Sequence, residues 1–388
     1  MARRLILVFN AGSSSLKFSL FEAGSLQPVL QANIERIGLS RPAINYKTEE
    51  RDGIVYLKTK ITDHTAALST AFAFIIWSGL SIADIAVVGH RVVHGGEEFY
   101  QPTVIDKKVL NRLRRYNHLA PLHNPINLSV ISACLDILPK VKNIACFDTE
   151  WYKNFKPEYF LYPLPWQFYQ KFRIRRYGFH GLSHEYVARQ AAKVLGKPLS
   201  QLNLITCHLG SGSSVTAVAK GKAVANSMGF TPLSGLPMAS RSGDFDPNII
   251  LYLLDLGEKP DSIYKDLNTK SGWLAVAGTA DFRQIMVDAG YSIDGFKPRS
   301  KQQREKSKLA LRQFIDAINF YVGGYAAKLK KVHAVVFTGG IGGGNKHFFN
   351  IMTKELSWLR SVSLLQIPTN EELIIAAKAK AILRKAKK

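Results

Sequence analysis

Cysteine is scarce in this sequence, and its scarcity narrows the class of protein. The 388 residues include only three cysteines, Cys134, Cys146 and Cys207, which lie far apart and form no Cys-x-x-Cys pair. This spacing excludes a disulfide framework and a cysteine-ligated metal site as organising features. An odd count without a framework is typical of a reducing compartment, so we expect a cytoplasmic protein.

Long apolar runs are missing as well. The basic N-terminus leads into only five apolar residues, 5–9, which is too short for the core of a secretory signal peptide. The uncharged stretch 65–83 contains several Ser, Thr and Gly residues and has charged residues on both sides. We interpret it as a buried helix followed by a turn, and we expect no membrane partner.

Acidic residues are few compared with basic ones. The chain has 29 Asp and Glu against 52 Lys and Arg, which gives a formal net charge of +23. Such an excess invites a nucleic-acid interpretation, but the basic clusters at 112–115 and 173–176 are short and no nucleic-acid motif accompanies them. We expect no nucleic-acid partner, and we attribute the charge to surface composition that also attracts anionic substrates. The basic tail, 378–388, is expected to be a solvated helix end.

The residues that are present suggest a hairpin around which the chain is organised. The apolar run at 5–9 predicts a strand, and the alternating apolar residues after Lys17 predict a second one. Between them, Gly12 permits a sharp turn, while Ser13 and Ser15 offer hydroxyls and closely spaced N–H groups that suit an anion. The pattern fits a phosphate-holding hairpin and equally an ordinary polar β-turn. It is not a P-loop, because that spacing is absent.

A second copy of this pattern lies about two hundred residues further on. Leu202–His208 predicts a strand that enters the Gly/Ser-rich segment Leu209–Ser214, and an alternating strand follows. A fold repeated within one chain would place two such turns across a cleft, where they could hold a polyphosphate from both ends. Because strands alternate with helices throughout, the sequence predicts an α/β class.

Several charged or imidazole residues stand at the ends of predicted strands or in loops. Arg91 and Arg241 are candidate clamps for phosphoryl or carboxylate groups, since guanidinium binds both bidentately. His123 and His180 are candidate hydrogen-bond donors to transferring oxygens. Asp148 could hold a magnesium water shell or orient an arginine. The structural alternatives are a surface or ion-pair arginine, a core histidine and a strand-end cap.

A set of longer motifs resembles the acetate kinase family. The motifs follow that family's order over nearly the whole chain: Val-Phe-Asn-Ala-Gly-Ser-Ser-Ser-Leu-Lys, Gly-His-Arg-Val-Val-His-Gly-Gly-Glu, Pro-Leu-His-Asn-Pro, Phe-Asp-Thr, Arg-Arg-Tyr-Gly-Phe-His-Gly-x-Ser-His, Ser-Met-Gly-Phe-Thr-Pro-Leu, Ser-Arg-Ser-Gly-Asp-x-Asp-Pro and Pro-Thr-Asn-Glu-Glu-Leu. The resemblance implies the superfamily of sugar kinases, heat-shock chaperones and actin. We therefore expect a two-lobed, duplicated, ribonuclease-H-like α/β fold with the active-site cleft between the lobes.

The resemblance also implies lobe boundaries and a function. We expect an N-terminal lobe from 1–150 plus 372–388, and a C-terminal lobe from 151–371 that binds the nucleotide and forms a homodimer. The implied activity is reversible, Mg²⁺-dependent phosphoryl transfer from ATP to acetate by direct in-line transfer, with Mn²⁺ as a possible substitute. The alternatives are a kinase for propionate or another short-chain acid, a nucleotide-binding relative with little turnover, and a basic nucleic-acid-associated protein.

Residue roles are carried over from the family position by position. Asn10 and Glu371 would belong to the metal site, and Arg91, Val93, Leu122, Phe179 and Pro232 would contact the acyl substrate. Asp148, His180, Arg241, Arg91 and His123 would be catalytic. The nucleotide would be lined by Ser13, Ser15, Lys17, His208, Leu209, Gly210, Ser211, Gly212, Asp281, Phe282, Arg283, Gly340, Ile341, Gly342, Gly343 and Gly344.

The sequence departs from the family pattern mostly on the nucleotide side and its supports. Ser211 replaces an asparagine, and Gly343 and Gly344 replace Glu-Asn, with Asn345 one place later. Further departures are Ser234 for glutamate, Ala239-Ser240 for Gly-Thr, and Glu150-Trp151-Tyr152 for Ala-Phe-His. These changes bear on nucleotide affinity and purine choice more than on the phosphoryl-transfer centre.

One role follows from elementary acid–base chemistry. A carboxylic acid with a pKa of about 4 to 5 is already ionised at pH 7, so its attack on the γ-phosphate needs no general base. We therefore expect Asp148 to organise magnesium and the arginines, although the family assigns it as a proton donor.

Overall fold

The computed structural model describes residues 4–385, which divide into two compact units. Unit 1 comprises 1–153 and 370–388, and unit 2 comprises 154–369. The C-terminal segment thus returns to the N-terminal unit.

The strands form one sheet in each unit. Unit 1 has an eight-stranded sheet and unit 2 a five-stranded sheet. In chain order the strands are β1 (Leu5–Ala11), β2 (Ser15–Glu22), β3 (Pro28–Glu35), β4 (Ala43–Thr48), β5 (Asp52–Tyr56), β6 (Ile85–Val92), β7 (Thr103–Ile105), β8 (Lys142–Phe147), β9 (Asn203–Leu209), β10 (Ser213–Ala219), β11 (Lys222–Asn226), β12 (Ala334–Thr338) and β13 (Ser363–Gln366).

The helices cover the faces of these sheets. They are α1 (His64–Trp77), α2 (Lys107–Arg114), α3 (Asn124–Ile137), α4 (Pro157–Phe160), α5 (Trp166–Phe172), α6 (Gly181–Val194), α7 (Asn248–Asp255), α8 (Pro260–Thr269), α9 (Gly272–Ala277), α10 (Phe282–Asp288), α11 (Lys301–Leu329), α12 (Gly339–Gly342), α13 (Lys346–Glu355) and α14 (Glu371–Lys385). Residues 386–388 of the basic tail lie outside the described residues.

Both sheets contain the same five-strand arrangement. In unit 1 the order β3-β2-β1-β6-β8 occurs within the larger sheet, and in unit 2 the whole order is β11-β10-β9-β12-β13. In unit 1, β1 pairs antiparallel with β2 and parallel with β6, and β6 pairs parallel with β8. In unit 2, β9 pairs antiparallel with β10 and parallel with β12, and β12 pairs parallel with β13. The hairpin repeat seen in the sequence is therefore a repeat of sheet topology.

The predicted hairpins are confirmed. β1 and β2 pair in register from Leu5–Glu22 to Ala11–Leu16, with Asn10 opposite Lys17. All seven residues of β1 are buried, because helices cover one face of the sheet and α14 packs on β1 and β6 at the other. A central strand buried on both faces reads as a continuous apolar run, as the sequence of β1 does.

Sequence patterns predict helices at 109–119, at 127–138 and from Glu371, the last with Asn370 as its cap. The first is α2, which ends at Arg114 and is followed by a separate 3₁₀ turn. The second begins earlier, at Asn124, because Pro125 fits the first helical turn, where its missing N–H costs nothing. The third begins at Glu371 as predicted, and the Asn370 side chain accepts from the Leu373 N–H at 2.9 Å.

The sequence predicts a strand at 334–338 that runs into a glycine turn at 339–344. The structure is partly helical there, which corrects the prediction. Gly339–Gly342 form the short α12. The displaced Asn345 is not part of this turn, since it caps α13 by accepting from the Phe348 N–H at 3.0 Å. Residue 339 must be glycine, because its φ is +78° and a Cβ there would lie 2.4 Å from the Leu209 carbonyl oxygen. Propensity disfavours a helix of glycines, so sequence pattern alone does not predict α12.

The structure also places the three cysteines and the uncharged stretch 65–83. All three cysteines are buried, and none forms a disulfide. In the part of the chain that the structure describes, no helix is both long and apolar enough to cross a membrane. The uncharged stretch 65–83 contains most of α1, whose inner face packs against the unit 1 sheet, as predicted.

α14 is fixed to unit 1 by close packing and by one buried ion pair. Gly89 of β6 lies so near α14 that an added Cβ would stand 2.6 Å from Ile375 Cγ2. Two turns after Glu371, Lys378 Nζ lies 2.5 Å from Glu150 Oε1, with side chains only 18% and 3% exposed. Glu150 also accepts from the Phe147 N–H at 2.9 Å. This pair ties the C-terminal helix to the end of β8.

Breaking this ion pair should destabilise unit 1 more than removing both charges. Lys378→Met leaves a buried carboxylate without its cation, at an expected cost of about 3 kcal/mol. The double variant Glu150→Gln, Lys378→Met should recover much of that loss, because glutamine still accepts from the Phe147 N–H without a charge. Thermal melting and hydrogen exchange across α14 would measure the stability of the single and the double variant. A double variant no more stable than the single one would show that charge pairing does not stabilise α14 on unit 1.

A buried histidine in the same sheet makes unit 1 sensitive to mild acid. His90 is 1% exposed and its Nε2 lies 2.7 Å from Asn143 Oδ1. Its Nδ1 is buried and has no hydrogen-bond partner among residues 4–385. Burial lowers the pKa of His90 from 6.5 to about 4.

The sign of this effect follows from proton linkage. Below pH 6.5 the unfolded chain binds a proton at His90 that the folded chain does not, so stability is complete above pH 6.5 and declines toward pH 4. Between pH 7 and pH 5 the loss should be roughly 2 kcal/mol. His90→Gln keeps a donor to Asn143 and should remove that part of the decline. Equal pH slopes for the two proteins in urea unfolding would contradict the assignment.

Candidate active site

The ends of β6 and β8 bring together a buried arginine and a buried aspartate. β6 and β8 are parallel, with Arg91 in register with Cys146, so Asp148 emerges beside Arg91. Arg91 Nε donates to Asp148 Oδ1 at 2.9 Å and Nη2 donates to Oδ2 at 2.6 Å. Asp148 is 1% exposed. A bidentate pair of this kind fixes the plane of the guanidinium as well as its position.

Residues from both ends of the chain complete this cluster. Asn10 Oδ1 accepts from Arg91 Nη1 at 3.2 Å, and its Nδ2 donates to Glu371 at 3.1 Å and to Glu372 at 3.0 Å. Arg91 Nη1 also lies 3.3 Å from Glu371 Oε2. The predicted residues Asn10, Arg91, Asp148 and Glu371 are thus in direct contact. Glu372 was not predicted to belong to this cluster, although its position directly after Glu371 could have indicated it.

The electrostatics of Arg91 follow from this arrangement. Burial disfavours its charge, but attraction to Asp148 and Glu371 outweighs the desolvation and raises the pKa of Arg91 above its usual value. The guanidinium is therefore a permanent cation whose position is fixed. Part of its surface is still open, since the side chain is 19% exposed.

The predicted phosphate hairpin has an exposed, hydrogen-bonded turn. Ser13 is exposed and Ser15 half-buried, while the Gly12 N–H donates to the Ser15 carbonyl at 2.9 Å. His64 Nε2, from α1, lies 2.7 Å from the Gly12 carbonyl oxygen. Lys17 is exposed and stands across from Asn10. The His64 contact was not predicted, because nothing in its local sequence links it to a turn fifty residues earlier.

The acyl-side residues of unit 1 are positioned by α3. Val93 is buried, and its N–H donates to Asn127 Oδ1 at 3.3 Å. The Asn127 side chain also donates to the Ala11 carbonyl at 3.1 Å, so α3 joins the Val93 segment to the opening hairpin. Leu122 is 40% exposed, and His123 directly precedes α3.

In unit 2, His180 and Arg241 meet at Gly212. A Cβ on Gly212 would stand 3.3 Å from His180 Nε2 and 3.7 Å from Arg241 Nη1. Arg241 Nη1 also donates to the Pro232 carbonyl at 3.1 Å. Phe179, next to His180, is 1% exposed, and its N–H donates to Asn226 Oδ1 at 3.4 Å. The structure therefore gathers the predicted catalytic and acyl-side residues of this unit.

The imidazole groups of unit 2 form a cluster with hydroxyl partners. The His180 and His208 rings lie 4.4 Å apart, tilted by 30°. His180 Nδ1 lies 2.9 Å from Ser214 Oγ, and His208 Nδ1 lies 2.7 Å from Ser183 Oγ. His184 is fully buried behind them. The sequence predicted His180 and His208 but not their hydroxyl partners.

The predicted nucleotide residues of unit 2 fall into three groups: the Gly210–Gly212 turn with α12, the side chains that lie in the core, and the Asp281–Arg283 pair. The turn at Gly210–Gly212 lies beside the start of α12, where a Cβ on Gly210 would stand 3.8 Å from the Gly340 nitrogen. Leu209, Ile341 and Phe282 point their side chains into the unit 2 core, so any contribution to binding would come from their backbone. The position of Ser211 is exposed, as is that of Gly344.

Asp281 and Arg283 form the third group. Asp281 caps α10 by accepting from the Arg283 N–H at 2.9 Å, and its carboxylate is bound by the Arg283 guanidinium at 3.0 and 2.7 Å. Hydrogen bonding to Arg283 lowers the pKa of Asp281. Arg283 also stacks on Phe296, with its guanidinium carbon 4.8 Å from the ring centre.

The donor set around Asn10 is suited to a hard cation. It contains one amide oxygen and the carboxylates of Glu371 and Glu372, and oxygen ligands are those that Mg²⁺ prefers. Between residues 4 and 385 no three His, Cys, Asp or Glu side chains converge as a ready-made cage.

Known proteins of one family resemble this chain over nearly its whole length. The model of the acetokinase family matches residues 5–360. The chain is 38% identical to the acetate kinase of Clostridium novyi over 409 aligned positions, covering 98% of each protein. It is 40% identical to the acetate kinase of Geobacillus kaustophilus, covering 96% of this chain and 97% of that protein.

Two solved structures are similar to this chain over nearly its whole length. A propionate kinase from Francisella tularensis superposes with a TM-score of 0.87 at 33% identity, covering 97% of this chain and 99% of its own. The acetate kinase of Porphyromonas gingivalis gives a TM-score of 0.86 at 32% identity, covering 98% of this chain and 100% of its own. These likenesses confirm the predicted α/β fold class. The chain belongs to the acetokinase family, whose enzymes are phosphotransferases with a carboxyl group as acceptor.

Proposed function

We propose that this chain is an acetate kinase that interconverts ATP and acetate with ADP and acetyl phosphate. The observation that carries the proposal is the buried Arg91 cation, held bidentately by Asp148 and joined through Asn10 to Glu371. These residues occupy the family's motif positions in a chain that matches the family along almost its whole length.

The chemistry of the reaction explains why such a cation is needed. Both the acetate nucleophile and the γ-phosphate are anionic, so their mutual repulsion is the main barrier to direct in-line transfer. Acetate is already ionised at pH 7 and gives up no proton on attack. Asp148 would therefore orient Arg91, which would bind the acyl carboxylate, and would act as neither acid nor base.

The proposed roles in unit 2 follow the same electrostatic logic. His180 and Arg241 would donate hydrogen bonds to the equatorial oxygens of the transferring phosphoryl group. His123 of unit 1 would be a further donor. The nucleotide would contact the backbone of the Gly210–Gly212 turn and of α12, together with the Asp281–Arg283 pair. Ser13, Ser15 and Lys17 would contact its phosphates.

Magnesium would be held by Asn10 and Glu371, with Glu372 as a further carboxylate. The ion supplies positive charge to the ATP phosphates when bound, and Mn²⁺ accepts the same oxygen ligands. The contribution of the chain is the geometry: Asn10 donates to both glutamates and thereby sets where their remaining oxygens point.

Acetate is preferred over longer acids in this proposal because of the residues at four acyl-side positions. Val93, Leu122, Phe179 and Pro232 match the family's small acyl pocket by resemblance. Propionate is the second candidate, because the superposing Francisella tularensis structure is a propionate kinase.

We further propose a cytoplasmic homodimer formed through unit 2, with the lobes bounded near 150 and 371. Support for the dimer comes from apolar side chains that unit 2 leaves open. Leu251, Tyr252 and Leu256, on or directly after α7, are 58%, 64% and 64% exposed, and Phe320 of α11 is 76% exposed. Apolar exposure of this kind marks interaction surfaces when it is contiguous.

Turnover with a series of acids tests the proposed substrate. Purified protein with ATP and Mg²⁺ should form acetyl phosphate, detected as its hydroxamate, with kcat/KM falling from acetate to propionate to butyrate. One methylene group changes discrimination by about 10–200-fold. A preference for butyrate would contradict the acetate assignment, and ATP binding without any acyl phosphate would favour a nucleotide-binding protein of little turnover.

Replacing the two proposed arginines tests the site. Arg91→Ala and Arg241→Ala should each lower kcat by roughly 10²–10³, because each removes a positioned cation from the transfer centre. Arg312→Ala is a control, since Arg312 forms an exposed ion pair with Asp316 on α11 of unit 2. Circular dichroism would check the fold. Near-normal turnover in both arginine variants would refute the assignment.

A further inference from the structure

A chain of hydrogen-bonded side chains runs through the interior of unit 2 and ends at His180. Thr206 Oγ1 on β9 lies 2.7 Å from His184 Nδ1, and His184 Nε2 lies 2.8 Å from Ser214 Oγ. Ser214 Oγ lies 2.9 Å from His180 Nδ1. Thr206, His184 and Ser214 are completely buried.

The protonation of His184 is settled by its surroundings. Burial, together with the nearby His208, lowers the pKa of His184 well below its ordinary value. A neutral imidazole has one N–H donor and one acceptor nitrogen, and a serine hydroxyl has a single proton. The Ser214 oxygen could accept from both rings, but its own buried proton would then have no acceptor among the contacts of the described chain, which is costly. The remaining orderings direct every proton either toward His180 or away from it.

Thr206 decides between the two orderings. In the described part of the chain its hydroxyl has His184 Nδ1 as its only side-chain partner. If His184 Nδ1 carried the proton, the Thr206 O–H would be a buried donor without an acceptor, which is costly. Thr206 therefore donates to His184 Nδ1, His184 Nε2–H donates to Ser214, and Ser214 O–H donates to His180 Nδ1.

We propose that Thr206, His184 and Ser214 are positioning residues that set the tautomer of His180. With Nδ1 accepting from Ser214, neutral His180 carries its proton on Nε2. That nitrogen is the one beside Gly212 and on the same side as Arg241. The inference rests on the proposed function, in which His180 Nε2–H donates to the transferring phosphoryl oxygens.

The His180 backbone has a φ of +58°, in the left-handed region that a residue with a side chain seldom adopts. Its ring contacts the Ser214 hydroxyl at 2.9 Å and lies 4.4 Å from the tilted His208 ring. Without Ser214, the hydrogen bond that sets the tautomer at Nδ1 would be lost.

Nitrogen-15 NMR of the histidine rings tests the ordering directly. In the full-length protein at pH 8, both His180 and His184 should be neutral with the proton on Nε2. A proton on Nδ1 of either ring, or a doubly protonated His180, would overturn the proposal. This readout does not depend on turnover, so a protein with the expected tautomers but no acetate kinase activity would refute the proposed function and leave the ordering intact.

Ser214→Ala tests the effect on catalysis. The variant should lose the Nε2–H preference of His180, and its kcat should fall by about 10²-fold, the scale for one positioned donor, while KM for ATP and acetate stays unchanged. Ser227→Ala is the matched control, because Ser227 is equally buried and its hydroxyl accepts from the Val215 N–H instead. A wild-type kcat and tautomer in Ser214→Ala would overturn the proposal.

Two substitutions of His184 separate positioning from packing. Glutamine can place an amide N–H where Nε2–H stood, so His184→Gln should keep the His180 tautomer and most of kcat. Asparagine reaches only the Nδ1 position, so His184→Asn should lose both. Equal behaviour of the two variants would mean that His184 only fills space, which would contradict the proposal.

Discussion

The bidentate pair between Arg91 and Asp148 is the interaction on which the rest of unit 1 depends. A buried guanidinium is tolerated only where acceptors surround it, and here they come from distant parts of the chain. Asp148 follows β8, Asn10 lies at the end of β1, and Glu371 opens α14. The need to neutralise one cation thus gives a physical reason for the C-terminal helix to complete the N-terminal unit, where Gly89 and the Glu150–Lys378 pair fix it against the sheet.

The two units solve the same positioning problem with different chemistry. In unit 1, charges are held by opposite charges, so the geometry is set by ion pairs and amide donors. In unit 2, the central groups are imidazoles, and their partners are the hydroxyls of Thr206, Ser214 and Ser183. A hydroxyl can donate or accept, so position alone does not fix the protons there. The protons are fixed by the sequence of donors and acceptors along the complete hydrogen-bond chain.

Features encoded in short stretches could be predicted from the sequence, whereas long-range partners could not. The two hairpins and the Asn370 cap follow from local patterns, whereas Asn10, Arg91 and Asp148 are assigned to one site only through the order of the family's motifs. The contact of His64 with Gly12 depends on two segments that only the fold brings together. Helix α12 was missed because glycine has a low helix propensity, while the close approach of Gly339 to the Leu209 backbone, which requires glycine there, appears only in the fold.

The central claim is that Asp148 orients Arg91 and moves no proton during phosphoryl transfer. Comparing the single-turnover rate of acetyl phosphate formation in H₂O and D₂O, in the wild type and in Asp148→Asn, tests this most directly, because a proton in flight from Asp148 in the transition state slows the step in D₂O. The account predicts equal transfer rates in the two solvents. A clearly slower transfer in D₂O that disappears in Asp148→Asn would contradict it and would make Asp148 the proton donor.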